Sequence, residues 1–285
     1  MRLCRFGDKR LGLVDGDGVR DVTAALDVLP SYRYPLPRGD VLIEHIDAIM
    51  ASACRAASTA PVEPVSAVTL LSPVANPGKL IAAPVNYQRH LDEVRANAEL
   101  HHNNPIAVIQ RAGLFLKATS SLVGPGEGIA LRKLDRRNDH ELELACIIGK
   151  RASHVSRDRA MAHVAGYCIG LDISIRGPEE RSLRKSSDGY SVLGPWLVTA
   201  DEIDEPGSLD LRLEVNGAVR QQSNTSDLIL GVPELIEYAS SFYTLFPGDV
   251  IFTGTPEGVG PLSPGDTITA TIESIGTMEV KVRAV

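Results

Sequence analysis

The run His140-Glu141-Leu142-Glu143-Leu144-Ala145-Cys146-Ile147-Ile148 does most to limit how this chain folds, because it sets two acids two residues apart in an apolar stretch. Such a run reads as a strand, where successive side chains point to opposite faces, so Glu141 and Glu143 share one face. Two like charges on a half-buried face repel and resist desolvation unless a cation sits between them. A third carboxylate, Asp172, follows a second strand-like run, Val164 to Leu171. Oxygen donors without Cys or His suit one hard divalent ion, Mg²⁺ or Mn²⁺. The plainer alternative for an isolated E-x-E is an exposed sheet face with solvated glutamates.

A chain of 285 residues with 44% hydrophobic side chains can build a substantial core, as one large domain or two smaller ones. Its net charge of -7 argues against a general nucleic-acid binder, which relies on clustered Lys and Arg. The four cysteines at 4, 54, 146 and 168 never form a C-x-x-C, which speaks against a disulfide framework or a structural zinc site. Cys146 and Cys168 lie in apolar runs and read as small buried hydrophobes. The N-terminal MRLCRFGDKR lacks an apolar core and no stretch approaches a membrane span, so a cytoplasmic protein without membrane association is expected.

Along the chain, Leu11–Val14 and Val19–Val22 flank Asp15-Gly16-Asp17-Gly18, a hairpin signal. Residues 40–56 carry Leu42, Ile43, Ile46, Ile49 and Met50 at helical spacing. The stretch 57–66, with Pro61 and Pro64, reads as a linker. These features predict a small N-terminal α/β domain over 1–70 and a larger domain over 71–285. In the latter, turns such as Asn216-Gly217 and Pro247-Gly248-Asp249 separate strands. Helices are expected only from Ser156 to His163 and from Pro233, the latter with Val232, Leu235, Ile236, Ala239 and Phe242 facing the core. The fold class is therefore α+β and strand-rich. The polar segment 95–113, with His101-His102-Asn103-Asn104-Pro105, suits a lid or an ordinary surface excursion.

Other segments carry chemistry. If the chain turns helical after Tyr87, His90 and Glu93 share a face, and the carboxylate orients the imidazole; a surface ion pair is the alternative. Arg176, Arg181, Arg184 and Lys185 follow Asp172 closely, a basic stretch able to neutralise an anionic substrate or simply to stay solvated. Phe252-Thr253-Gly254-Thr255-Pro256 offers hydroxyls and free N–H groups where glycine permits close approach.

Together NYQRHLDE (86–93), FLKATSSLVGPGEGI (115–129), HELELACIIGK (140–150), GYCIGLDIS (166–174), KSSDGYSVLGPWLVT (185–199) and PGDVIFTGTPEGVG (247–260) resemble the fumarylacetoacetate hydrolase family, from about residue 78 onward. The resemblance implies a mixed β-roll-like catalytic domain, a homodimer and one Mg²⁺ or Mn²⁺ ion. It sets the metal ligands on Glu141, Glu143 and Asp172, the water-activating pair on His90 and Glu93, and the catalytic, substrate-contacting lysine on Lys185. Substrate contacts fall on Tyr87, Arg176 and Thr255 as well. The sequence departs from the family at His140 for a tyrosine, Ala118 for a proline, Gly177 for an aspartate and Glu179 for a glutamine, all beside the expected substrate pocket. The segment between Glu93 and Phe115 is also longer than in compact members.

The activity implied is hydrolysis of a carbon–carbon bond in a small anionic 1,3-diketo acid of acylpyruvate or fumarylpyruvate type. The same metal-enolate chemistry serves decarboxylation of oxaloacetate, tautomerisation, or isomerisation and hydration of unsaturated 2-oxo diacids. Retention of His90 and Glu93 favours hydrolysis, since enolate formation alone needs no activated water. A non-catalytic binder of metal and dicarboxylate is the reading from a different class.

Overall fold

A computed structural model describes residues 1–101 and 106–285. Strands dominate it and helices are few and short, as the turn-rich sequence predicts. At its centre lie three antiparallel strands, Leu142–Ile148, Val164–Asp172 and Ser191–Thr199, with Val164–Asp172 in the middle. Leu142–Ile148 is buried on both faces, which is why its sequence is nearly continuous in apolar residues rather than alternating. Next to it Val250–Phe252 pairs antiparallel, then Leu80–Ala82 parallel to that, and Phe115–Lys117 closes this side.

The other side of the sheet is built from the N-terminus. Arg2–Phe6 pairs with Ser191–Thr199 through Leu3↔Leu197, and the hairpin Arg10–Asp15/Gly18–Asp21 adds to it. The expected boundary at residue 70 is therefore no break in the sheet: twelve strands from both segments form one hydrogen-bonded array among the described residues. The N-terminal part nonetheless keeps an apolar cluster of its own, where Leu3, Leu11, Val22, Ile49 and Ala53 pack together.

The helix expected over 40–56 forms as two, Val41–Glu44 and Ile46–Ala57, broken at His45. Asp40 caps the first by accepting from Leu42 and Ile43 N–H, and its other oxygen accepts from Ala75 and Asn76 N–H. The helix from Pro233 spans Val232–Phe242 and buries Val232, Leu235, Ile236 and Ala239. Phe242 instead points outward at 71% exposure, because the buried stripe closes on Ser240 and the ring rests on Tyr238, one turn back. After Ser156 a single helical turn, Arg157–Ala160, tightens into a 3₁₀ turn through His163. Cys4, Cys146 and Cys168 are free and buried, and burial pushes the Cys4 thiol up to about 12. Of the segment considered as a lid, residues 102–105 lie outside the described residues; Ala98–His101 and Ile109–Ala112 are short helices. No helix among the described residues is long and apolar enough to cross a membrane.

Candidate active site

The pairing of Leu142–Ile148 with Val164–Asp172 sets Leu142 opposite Leu171 and Glu143 opposite Gly170. Glu141, just before its strand, and Glu143 thereby reach the end of the sheet where Asp172 finishes the neighbouring strand. Ligand oxygens of the three lie within 4.8 Å of one another, and all three residues are buried.

Two ammonium groups enter this acidic cluster. Lys185 Nζ donates to Glu141 Oε2 and Asp172 Oδ2, both at 2.7 Å, while Lys117 Nζ donates to Asp172 Oδ1 and to the Tyr190 carbonyl. Arg176 bridges Asp139 (2.7 Å) and Glu141 (2.8 Å). Burial disfavours every charge here, and the neighbours decide the balance. Burial works to raise the Glu141 pKa, but Lys185 and Arg176 overcome it and hold that carboxyl well below the usual range. At Glu143 burial is reinforced by repulsion from Asp172 and Glu141, so its carboxyl is pushed well above the usual range. Burial also lowers the Lys117 pKa, more than Asp172 restores it. A buried, all-oxygen donor set in which one carboxylate lacks compensating charge fits a hard divalent cation.

The helix Gln88–Ala96 brings the second group of residues. His90 Nδ1 lies 2.9 Å from Glu93 Oε2, and Gly258 N–H donates to the other Glu93 oxygen at 3.0 Å. An ionised carboxylate only accepts, so Nδ1 carries the hydrogen, and in the neutral ring Nε2 keeps a lone pair. After Val250–Phe252 the chain turns at Gly254, whose φ is +101° and whose missing Cβ would lie 2.7 Å from that of Asn86. A side chain there would be both strained and blocked. The turn lets Gly254 N–H donate to Glu143, and it sets Thr255 Oγ1 to accept from Gln221 Nε2 at 2.8 Å. With that lone pair occupied, the Thr255 hydroxyl proton is free for an acceptor.

His90, Glu141, Asp172, Arg176, Lys185 and Thr255 face one cavity of about 350 Å³. Glu93 and Glu143 stand directly behind that lining, holding His90 and Gly254.

Residues 79–283 match the fumarylacetoacetate (FAA) hydrolase C-terminal family. The chain belongs to the fumarylacetoacetate hydrolase family. Among its relatives, a maleylpyruvate hydrolase of Aquipseudomonas alcaligenes is 62% identical over the full length of both chains. The Bos taurus mitochondrial oxaloacetate tautomerase FAHD2A is 36% identical over 99% of this chain and 91% of its own. A crystal structure of maleylpyruvate hydrolase from Sphingobium sp. SYK-6, in complex with manganese(II) and pyruvate, superposes with a TM-score of 0.84. It is 39% identical, over 100% of this chain and 99% of that one.

Of the residues expected from the fumarylacetoacetate hydrolase family, all but Tyr87 are brought to the cavity or directly behind it. Tyr87 is buried in the main core with its hydroxyl unpartnered among the described residues, and Arg176 is engaged by two carboxylates. Lys117 and Gln221 were not singled out from the sequence. The signal for Lys117 was the same period-two logic as for the glutamates: Phe115 and Lys117 share the buried face of their strand. Gln221 gave none: its burial within the otherwise largely exposed strand Ala218–Asn224 shows only in the structure.

Two departures from the family pattern explain each other. At Gly177 a Cβ would sit 1.6 Å from an Arg136 nitrogen. The space holds the Arg136 guanidinium, which grips Glu179 at 2.7 and 2.8 Å and the Arg176 carbonyl at 2.7 Å. His140, in place of tyrosine, is buried with Nδ1 3.3 Å from Gln221 Oε1.

Proposed function

We propose that this chain is a Mg²⁺- or Mn²⁺-dependent hydrolase that cleaves a carbon–carbon bond in a 1,3-diketo acid of acylpyruvate type. The observation that carries the reading is the meeting, around one cavity, of a buried three-carboxylate cluster with a histidine whose Nδ1 is held by a carboxylate and whose Nε2 has no hydrogen-bond partner among the described residues. The close similarity to a maleylpyruvate hydrolase supports it, as does the manganese and pyruvate bound in the Sphingobium protein.

Glu141, Glu143 and Asp172 would hold the ion. When bound, it supplies a Lewis acid that polarises the substrate carbonyl and offsets enolate charge. Thr255 donates its hydroxyl proton to the substrate carboxylate. His90 Nε2 takes a proton from water while Glu93 keeps the ring oriented and steadies the imidazolium. The water oxygen bonds to the distal keto carbon, and the bond from that carbon to the adjacent CH₂ breaks. Its electron pair passes to the pyruvate enolate, beside which the Lys185 ammonium stands. The enolate carbon takes up the proton, giving pyruvate; the acyl part leaves as a carboxylic acid.

The bovine tautomerase motivates a second reading, enolisation of oxaloacetate on the same metal site. It requires no activated water, and the His90–Glu93 pair favours hydrolysis over it. The test is incubation with acylpyruvates, oxaloacetate and unsaturated 2-oxo diacids, with Mn²⁺ or with chelator. Metal-dependent release of pyruvate from acylpyruvates is expected; turnover of oxaloacetate alone would reject the hydrolase. The proposal extends to a cytoplasmic homodimer that binds neither membrane nor nucleic acid, with light scattering the check on the dimer.

A further inference from the structure

The carboxylates of Glu141, Asp172, Glu179 and Glu180 all line the cavity. The first two meet Lys185, Lys117 and Arg176 within the site. Glu180 accepts the Ser182 N–H at 2.7 Å and caps the short helix Arg181–Lys185. Glu179 belongs neither to the acidic cluster nor to a helix cap. Left bare, its charge on this wall would repel an incoming anion.

Its partner stands outside the cavity lining. Arg136 closes a turn in which its own N–H donates to the Lys133 carbonyl at 2.9 Å. From there its guanidinium donates to both Glu179 oxygens, Nη1 at 2.8 Å and Nη2 at 2.7 Å, the forked contact with a carboxylate that only arginine makes. The same group donates to the Arg176 carbonyl from Nε at 3.1 Å and Nη2 at 2.7 Å, so it is fixed against the backbone as well. The grip holds the Glu179 carboxyl down at about 2, so the acid is ionised at neutral pH and its charge is met by Arg136. Room for this exists because residue 177 is glycine: a Cβ there would lie 1.6 Å from Arg136 Nη2 and 2.6 Å from Glu179 Oε2. Arg184 is no substitute, because it already donates to the Glu179 and Ile175 carbonyls.

We infer that Arg136 is a positioning residue for substrate binding: by gripping Glu179, with Gly177 making the room, it masks a carboxylate of the cavity wall and so lets an anionic keto acid enter. The inference rests on the reading that such an anion binds in this cavity, and it is tested by pyruvate binding rather than turnover. In calorimetric titration of the Mn²⁺-loaded full chain, R136M should bind pyruvate about tenfold more weakly than wild type, the scale of one unmasked charge near a protein surface. The difference should narrow as salt rises, because the Glu179 side chain is partly exposed and its charge is screened. R136M/E179Q should recover most of the loss, since glutamine fills the same space without the charge. A loss that came only from a loosened loop would respond to neither salt nor E179Q. G177A displaces the guanidinium by a different route and should weaken pyruvate to a similar extent, again relieved by E179Q; it decides the question even if R136M does not fold. Affinities in R136M and G177A equal to wild type, or a deficit that survives E179Q, would overturn the role of Arg136. A wild-type protein that binds no pyruvate with Mn²⁺ present would reject the keto-acid site itself, and the masking with it.

Discussion

At His90 the chemistry turns on one nitrogen. Glu93 accepts from Nδ1 at 2.9 Å and is itself fixed by the Gly258 N–H, so in the neutral ring Nε2 is the basic nitrogen, on a side chain that lines the cavity. Because the acidic cluster comes from other segments, His90→Ala should lower kcat by about 10²–10⁴-fold, the usual worth of a general base, with Mn²⁺ affinity nearly unchanged. Equal turnover in the variant would reject the base. Gln221 carries a different load: its Oε1 accepts from Leu142 N–H, and its Nε2 donates to Thr255 Oγ1 and the Pro256 carbonyl. Gln221→Ala strands those buried groups, so a loss of about 1–3 kcal/mol in urea unfolding is expected, with a raised KM because Thr255 loses its orientation. Unchanged stability and KM would show the network to be dispensable. The two residues also mark what could be read in advance. His90 and Glu93 stood out because a local spacing, i and i+3, relates them. Gln221 meets His140 and Thr255 only through long-range pairing, which no short window of sequence contains.

Among the elements, the strand end bearing Glu141 and Glu143 was legible because a period of two is a rigid geometric fact. The break in the helix around His45 was not, since the residues from Leu42 to Met50 keep their apolar spacing through it. What holds the first of the two helices is Asp40, which is 3% exposed and accepts four backbone N–H groups, two in its own helix and two at Ala75 and Asn76. Asp40→Ala removes the cap and also frees the loop beside it. We expect a loss of about 1–3 kcal/mol, read as a lower thermal midpoint, with the kinetic constants of the remaining folded enzyme unchanged. A change in kcat at full stability would place Asp40 in the chemistry instead.

For the molecule as a whole, composition and turns foretold a strand-rich α+β chain, but not that Arg2–Phe6 would join the central sheet at Ser191–Thr199, a contact set by packing between distant segments. That continuous sheet makes the metal site part of global stability, and the carboxylates give it a sign. The Glu143 pKa is raised in the folded protein, by burial first and then by Asp172 and Glu141. A raised pKa means the folded state binds the proton more tightly than the unfolded one, so this contribution is full below the ordinary glutamate value and is lost as pH climbs through the raised one. Glu141 runs the other way: burial opposes its charge, but Lys185 and Arg176 depress its pKa, so its contribution is present above the ordinary value and lost in acid. A divalent ion competes with the proton at Glu143 and relieves the repulsion there. The thermal midpoint in chelator should therefore fall as pH rises above the carboxylate range, while in Mn²⁺ it should hold. At a hundred times Kd the ion is worth about 2.7 kcal/mol. The gap between the two curves is expected to widen steadily with pH; a gap of constant width would mean that the ion binds without displacing a proton, and that Glu143 is ionised before the metal arrives.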